Sequence, residues 1–172
     1  MCAVRTENPE VKVALSDVVK LLEQHADVGR LLTIPDAHGV VDAAEYIRRP
    51  GFAMSRSSLE PMGIRFTLVA DTSPLEAERC WRLALAVHEL VTNVARHACF
   101  DGRDGVIKIT LSLVDPVIIC IVADNGSLSA RLKPARGLQM VISLTKSLGG
   151  LIEYGFGTHF LSSLLLFPLT ER

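Results

Sequence analysis

Positions 11, 15, 18, 22, 25, 29 and 32 (Val11, Leu15, Val18, Leu22, His25, Gly29 and Leu32) recur at alternating steps of four and three. That spacing lays a seam along one side of a helix, with Lys12, Ser16, Glu23, Asp27 and Arg30 facing water. So narrow a seam needs a partner, either another helix of the chain or a second copy. Pro35 and Gly39 mark a break, and residues 40–49 read as a second, short helix stopped by Pro50-Gly51. Residues 64–70 alternate and are β-branched, which predicts a strand. Pro74 suits the first turn of a long helix running to about Cys99. A turn at 101–105 leads to a strand hairpin, residues 106–114 and 117–123, joined at Asp115-Pro116 and ending on Asp124-Asn125-Gly126. Residues 137–148 are helical up to a Gly149-Gly150 stop, and two last strands, 151–154 and 158–167, flank Gly155-Phe156-Gly157. This order predicts an α+β fold, a two-layer α/β sandwich. A mixed, mostly antiparallel sheet is covered on one face by helices, and the seam helix precedes it. Two units follow: residues 1–36, a leader plus that helix, and residues 37–172, the sandwich.

Composition narrows the function classes. The chain has 172 residues, 49% apolar and 22% charged, enough for a sizeable core. Aromatics are 5%, so that core is built from Leu, Val, Ile and Ala. Eighteen Lys and Arg nearly cancel nineteen Asp and Glu, which argues against nucleic acid as a partner. Cys2, Cys80, Cys99 and Cys120 form no C-x-x-C pair, and read as reduced cysteines of a cytoplasmic protein. The apolar runs near 118–123 and 164–169 fall far short of a membrane span.

Three stretches carry chemistry. In His88-Glu-Leu-Val-Thr-Asn-Val-Ala-Arg-His-Ala98, Glu89 and Asn93 lie four apart, so both project from one helix face. A carboxamide oxygen suits Mg²⁺, and a carboxylate beside it can order or deprotonate a nucleophile. Arg96 and His97 follow on the next turn. Asp124-Asn125-Gly126 closes an apolar strand, where an aspartate can accept hydrogen bonds from a ring amine and a glycine lets a ligand approach. Arg136-Gly137-Leu138 opens a helix, whose free N–H groups and dipole favour an anion. Each stretch also has an ordinary reading: a solvated helix face, a common turn, a glycine N-cap. Their joint order and context make coincidence a poor account.

On these residues the sequence resembles the ATP-binding domain shared by sensor histidine kinases, Hsp90-type chaperones, gyrase-type topoisomerases and mismatch-repair ATPases, a Bergerat-type fold. Glu89-x-x-x-Asn93-x-x-Arg96-His97 looks like the N box. Asp124-Asn-Gly126, Gly137-Leu138 and Gly157-Thr158-His-Phe160 look like the three glycine-containing boxes. The wording of the first and last motifs is nearest to bacterial sensor histidine kinases, among them short-lid two-component kinases of alphaproteobacteria. The likeness covers about residues 64–168 and, more weakly, extends back to a dimerisation helix. It implies ATP and Mg²⁺ as cofactors, with Glu89 as the water- or base-positioning carboxylate and Asn93 as the Mg²⁺ ligand. It places Arg96 and His97 near the phosphates, with Gly137 and Leu138 beneath them. Asp124 would recognise the adenine amine, Gly126 would make room for the ring, and Thr158 would sit near the adenine. The implied partners are ATP, a response regulator or partner kinase, and a second copy docked through residues 11–33.

The sequence departs from that pattern in several places. No segment matches the first dimerisation helix with its phosphoacceptor histidine, so the phosphoryl group is expected to go to another chain or to a segment not in this sequence. His25 lies on the apolar seam, whereas an acceptor must face solvent, and His38 sits in a turn. Leu128 stands where a further glycine is usual. The lid is reduced to the ten residues 127–136, in which Arg131, Lys133 and Arg136 could cradle phosphates. Two alternatives stay open: a phosphotransfer adaptor that docks a response regulator without binding ATP, and an anti-sigma-type serine kinase.

Overall fold

The computed structural model describes residues 39–127, 136–156 and 160–170, together with Ser16 and Leu32. The expected seam helix, His25, His38, most of the lid with Arg131 and Lys133, and Thr158 therefore lie outside the described residues. Ser16 is helical and exposed. Leu32 is buried in the main core, and its carbonyl accepts a hydrogen bond from the Trp81 indole N–H at 2.6 Å.

The described chain runs β1 (Val40–Asp42), α1 (Ala43–Met54), β2 (Ile64–Ala70), β3 (Pro74–Glu76), α2 (Ala77–His97), β4 (Gly105–Val114), β5 (Val117–Asp124), α3 (Arg136–Ser147), β6 (Leu151–Phe156) and β7 (Leu161–Pro168). Five strands form one sheet in the order β2-β4-β5-β7-β6. β2 lies parallel to β4 and the other three pairings are antiparallel, so the mixed, mostly antiparallel expectation holds. Alternation divides the sheet's two faces. Ile118, Cys120, Val122 and Asp124 of β5 are buried, and the residues between them are only half-buried. The buried row continues through Ile107, Ile109 and Leu111 of β4 and Leu165 and Phe167 of β7, and it packs with Leu83, Val87, Leu90 and Val91 of α2.

Two expectations need correction. Pro50-Gly51 does not stop the second helix, which begins at Ala43 and runs through both residues to Met54. Pro50 is buried, and a Cβ on Gly51 would stand 2.9 Å from the tip of the Phe66 ring. Tertiary packing of this surface against β2 therefore outweighs the local cost of a helical proline. The helix then relaxes into a π turn over Ser55–Leu59. Pro74 does not open the long helix either. Pro74–Glu76 is extended and pairs antiparallel with β1, so α2 starts at Ala77 and ends at His97. Asp42 explains the switch, because its carboxylate accepts from Ala44 N–H at 3.1 Å, capping α1, and from Ser73 N–H at 2.9 Å. That second bond holds the chain extended before Pro74, whose missing N–H costs nothing at the end of so short a strand.

α3 is set antiparallel beside α2 by a complete accounting of its C-terminal carbonyls. Gly149, at φ +72°, takes the left-handed conformation. Its N–H donates to Lys146 O at 2.9 Å and Gly150 N–H to Thr145 O at 3.0 Å, which is a Schellman motif. Two carbonyls at the helix end then find partners from the first turns of α2. Arg82 Nη1 donates to Ser147 O at 2.9 Å and Arg79 Nη2 to Leu148 O at 3.3 Å. Arg79 is 1% exposed, also donates to Pro168 O, and lies 5.7 Å from the centre of the Phe167 ring.

Arg79→Ala should lower the unfolding free energy by about 2–4 kcal/mol, because buried carbonyls lose their donor. Arg82→Ala, at a solvent-exposed contact, should cost less than about 1 kcal/mol. Urea denaturation of the two variants checks this, and equal small losses would contradict it.

A second expectation concerns the buried thiols. Burial pushes Cys120 up to about 12, and burial with the nearby Asp42 charge pushes Cys80 up to about 12, from an ordinary 9.0. Both folded values are raised, so the stability they carry is whole below pH 9 and drains away between pH 9 and 12. The slope is about 1.4 kcal/mol per pH unit per thiol. Cys120→Ala should flatten the fall in urea midpoint between pH 9 and 11; an identical slope in both proteins would refute the assignment.

Candidate functional site

Glu89 and Asn93 project from the middle of α2, both half-buried, one turn apart on a helix whose opposite stripe is in the core. The N-terminus of α3 is laid directly over them. A Cβ on Gly137 would stand 2.8 Å from Glu89 Oε2 and 3.3 Å from Asn93 Oδ1. Only a residue without a side chain lets the helix start come this close. An acid, a carboxamide and the start of a helix thus converge on one spot, and the positive end of the α3 dipole faces the Glu89 carboxylate.

Leu138 follows Gly137 as a half-buried residue, while Arg136 opens the helix. Arg96 and His97 are exposed on the last turn of α2, where cations complement the helix dipole. Asp124 lies at the end of β5 on the face that packs against the helices, and is 2% exposed. Its Oδ1 accepts from Gly126 N–H at 2.9 Å, which shapes a tight turn with Gly126 buried. The turn is tied to α2. Just beyond that helix Cys99 forms an isolated antiparallel bridge with Ser127, whose N–H donates to Cys99 O at 2.7 Å. The structure therefore brings Glu89, Asn93 and Gly137 into contact and fastens the Asp124–Gly126 turn to the chain leaving the same helix. Thr158 lies outside the described residues.

The donor set can be weighed against Mg²⁺. Among the described residues no three His, Cys, Asp or Glu side chains cluster to hold a metal ion. Mg²⁺ rarely uses such a cage; it takes one or two protein oxygens and completes its octahedron with phosphate and water. The Asn93 carboxamide oxygen, half-buried beside Gly137 at the α3 start, is a donor of that kind.

Sequence reasoning missed Arg79, Arg82 and Asn125. A signal existed for Arg79: it is a charge four residues before Leu83 on the apolar stripe, a position that demands buried acceptors. For Asn125 the common turn tripeptide hid its use.

The family model for the histidine kinase-like ATPase domain matches residues 54–164, well over half of the sequence, and the chain belongs to that family. Solved structures agree on the fold. The histidine kinase domain of the blue-light activated kinase EL346 from Erythrobacter litoralis matches with a TM-score of 0.72 at 22% identity, over 86% of this chain and 74% of that one. The Acinetobacter baumannii histidine kinase AdeS matches with a TM-score of 0.67 at 15% identity, over 98% and 89%. The catalytic domain of histidine kinase ThkA matches with a TM-score of 0.63 at 19% identity, over 77% and 97%. At these identities the likeness is one of fold. The chain aligns to only 42% of the longer EL346 chain. No curated protein is similar enough in sequence to register as a match. No described helix is long and apolar enough to cross a membrane.

The Gly137 contact makes a prediction that needs no ligand. In a double-mutant cycle, Gly137→Ala and Glu89→Ala should couple by about 0.5–1 kcal/mol, since removing the carboxylate makes room for the methyl group. Thermal unfolding of the two single variants and the double variant measures it, and additivity within about 0.3 kcal/mol would place the two residues apart.

Proposed function

We propose that this chain is the ATP- and Mg²⁺-binding catalytic domain of a cytoplasmic two-component signalling kinase. It passes a phosphoryl group from ATP to a histidine on another chain or on a segment beyond this sequence. The observation that carries the reading is the bare Gly137 backbone set over Glu89 and Asn93 at the start of α3. Such an arrangement has little use in a packed core and a direct one for a triphosphate, whose charge suits helix-start N–H groups. Membership of the histidine kinase-like ATPase family supports it.

In this reading Asn93 would hold Mg²⁺ through its carboxamide oxygen, and the ion would supply positive charge against the phosphates. Glu89, one turn earlier, orients the attacking group and accepts its proton. The N–H groups of Arg136, Gly137 and Leu138 hold the phosphates, with Arg96, which adds positive charge, and His97 near them at the end of α2. Asp124 accepts from the adenine amine, Gly126 leaves space for the ring, and Thr158 lies beside the base. No covalent enzyme intermediate is required, because positioning and charge neutralisation supply the catalysis. In the same reading residues 1–36 carry a leader and a dimerisation-like helix that meets a second copy through 11–33, residues 37–172 are the ATPase unit, whose core takes in Leu32, and a response regulator receives the signal.

Asn93→Ala should abolish Mg²⁺-dependent binding of ATP in isothermal calorimetry while leaving the thermal unfolding midpoint of the free protein within a few degrees. Binding unchanged from that of the parent protein would remove Asn93 from the site.

A further inference from the structure

We infer that Asn125 is a positioning residue that sets the base selectivity of this site by completing the last rung of the β4–β5 ladder. The inference rests on the nucleotide reading above and adds to it a residue with no contact of its own to the ligand.

The ladder pairs Ile107 with Asp124, so the next rung would join Val106 to Asn125. In an antiparallel rung of this kind the two residues exchange both main-chain bonds. Here one is made normally, with Asn125 N–H donating to Val106 O at 3.2 Å. The other is made by a side chain: Val106 N–H donates to Asn125 Oδ1 at 2.7 Å. The same carboxamide donates from Nδ2 to Asp104 O at 2.9 Å. The main-chain carbonyl of Asn125, released from the rung, accepts from Arg103 Nη2 at 3.2 Å.

This substitution lets the chain leave the sheet one residue early without leaving a strand N–H unsatisfied. It also fixes the orientation of Asp124, the residue immediately before it, whose carboxylate is held by Gly126 N–H immediately after it. A short side chain carrying an acceptor and a donor on one carbon is needed, and only Asn provides it: Asp lacks the donor and Ser lacks the second atom. A carboxylate reading a purine discriminates by direction. It accepts from the 6-amino group of adenine and opposes the 6-carbonyl oxygen of hypoxanthine. Loosening its backbone therefore erodes the ratio of affinities more than overall binding, which rests on the phosphates.

The test is to measure Mg-ADP and Mg-IDP dissociation constants by calorimetry for the wild type, Asn125→Ala and Asn125→Asp, each first shown folded by a cooperative urea transition. The wild type should favour ADP. Asn125→Ala should lower that preference about tenfold, the loss of roughly one well-aligned hydrogen bond. Asn125→Asp keeps the bond from Val106 and should lose a smaller part of the ratio, since its added charge weakens both ligands alike. If Asn125→Ala does not fold, Asn125→Asp decides alone: a lowered ratio supports the inference and an unchanged one overturns it. A folded Asn125→Ala protein with the wild-type ratio overturns it too. A wild type that binds neither nucleotide overturns the nucleotide reading itself, and the inference falls with it.

Discussion

The structure depends on the antiparallel alignment of α2 and α3, fixed at both ends by polar constraints. At one end Arg79 and Arg82 of α2 reach the carbonyls that α3 leaves open after its Schellman turn. At the other, Gly137 allows the start of α3 to settle on Glu89 and Asn93. A hydrophobic interface alone would let two helices slide by a turn at small cost. Directional bonds at one end, the one from Arg79 reaching the buried Leu148 carbonyl, and a side-chain-free contact at the other forbid it. Sliding would expose the Arg79 charge inside the core or drive a methylene into a carboxylate.

This alignment gives the site its chemistry. The start of α3 and the two polar side chains of α2 occupy one place because the arginines pin the far end. The strand-end turn is fastened to the chain leaving the same helix by the Cys99–Ser127 bridge, while the side-chain rung at Asn125 holds it to β4. Two independent tethers, one at the α3 start and one at the strand-end turn, suit a ligand with two dissimilar halves. In the proposed reading that ligand is a nucleotide, which membership of the histidine kinase-like ATPase family supports.

Much of the fold was legible because it rests on local periodicity. The alternation over Ile64–Ala70 and the hairpin through Asp115-Pro116 appear with nearly the expected bounds, as does α3 with its glycine stop. What escaped were features decided by distant contacts. Pro50-Gly51 looked like a stop because nothing local reveals the Phe66 ring that Gly51 accommodates. Pro74 looked like a helix start because the pairing of β3 with β1 joins residues more than thirty positions apart. At the site, the helix spacing placed Glu89 and Asn93 on one face, but their contact with Gly137 belongs to tertiary structure. Asn125 was hidden for the same reason: its partners lie about twenty residues upstream.

The central claim is that one nucleotide spans the two tethered ends. The most direct measurement is a crystal structure of the protein grown with a non-hydrolysable ATP analogue and Mg²⁺. The account predicts the 6-amino group of the base on the Asp124 carboxylate and the phosphates at the α3 start, with the metal ion bound by the Asn93 carboxamide. A nucleotide seated elsewhere, or a gap between Asp124 and Gly137 closed by packed side chains, would contradict it.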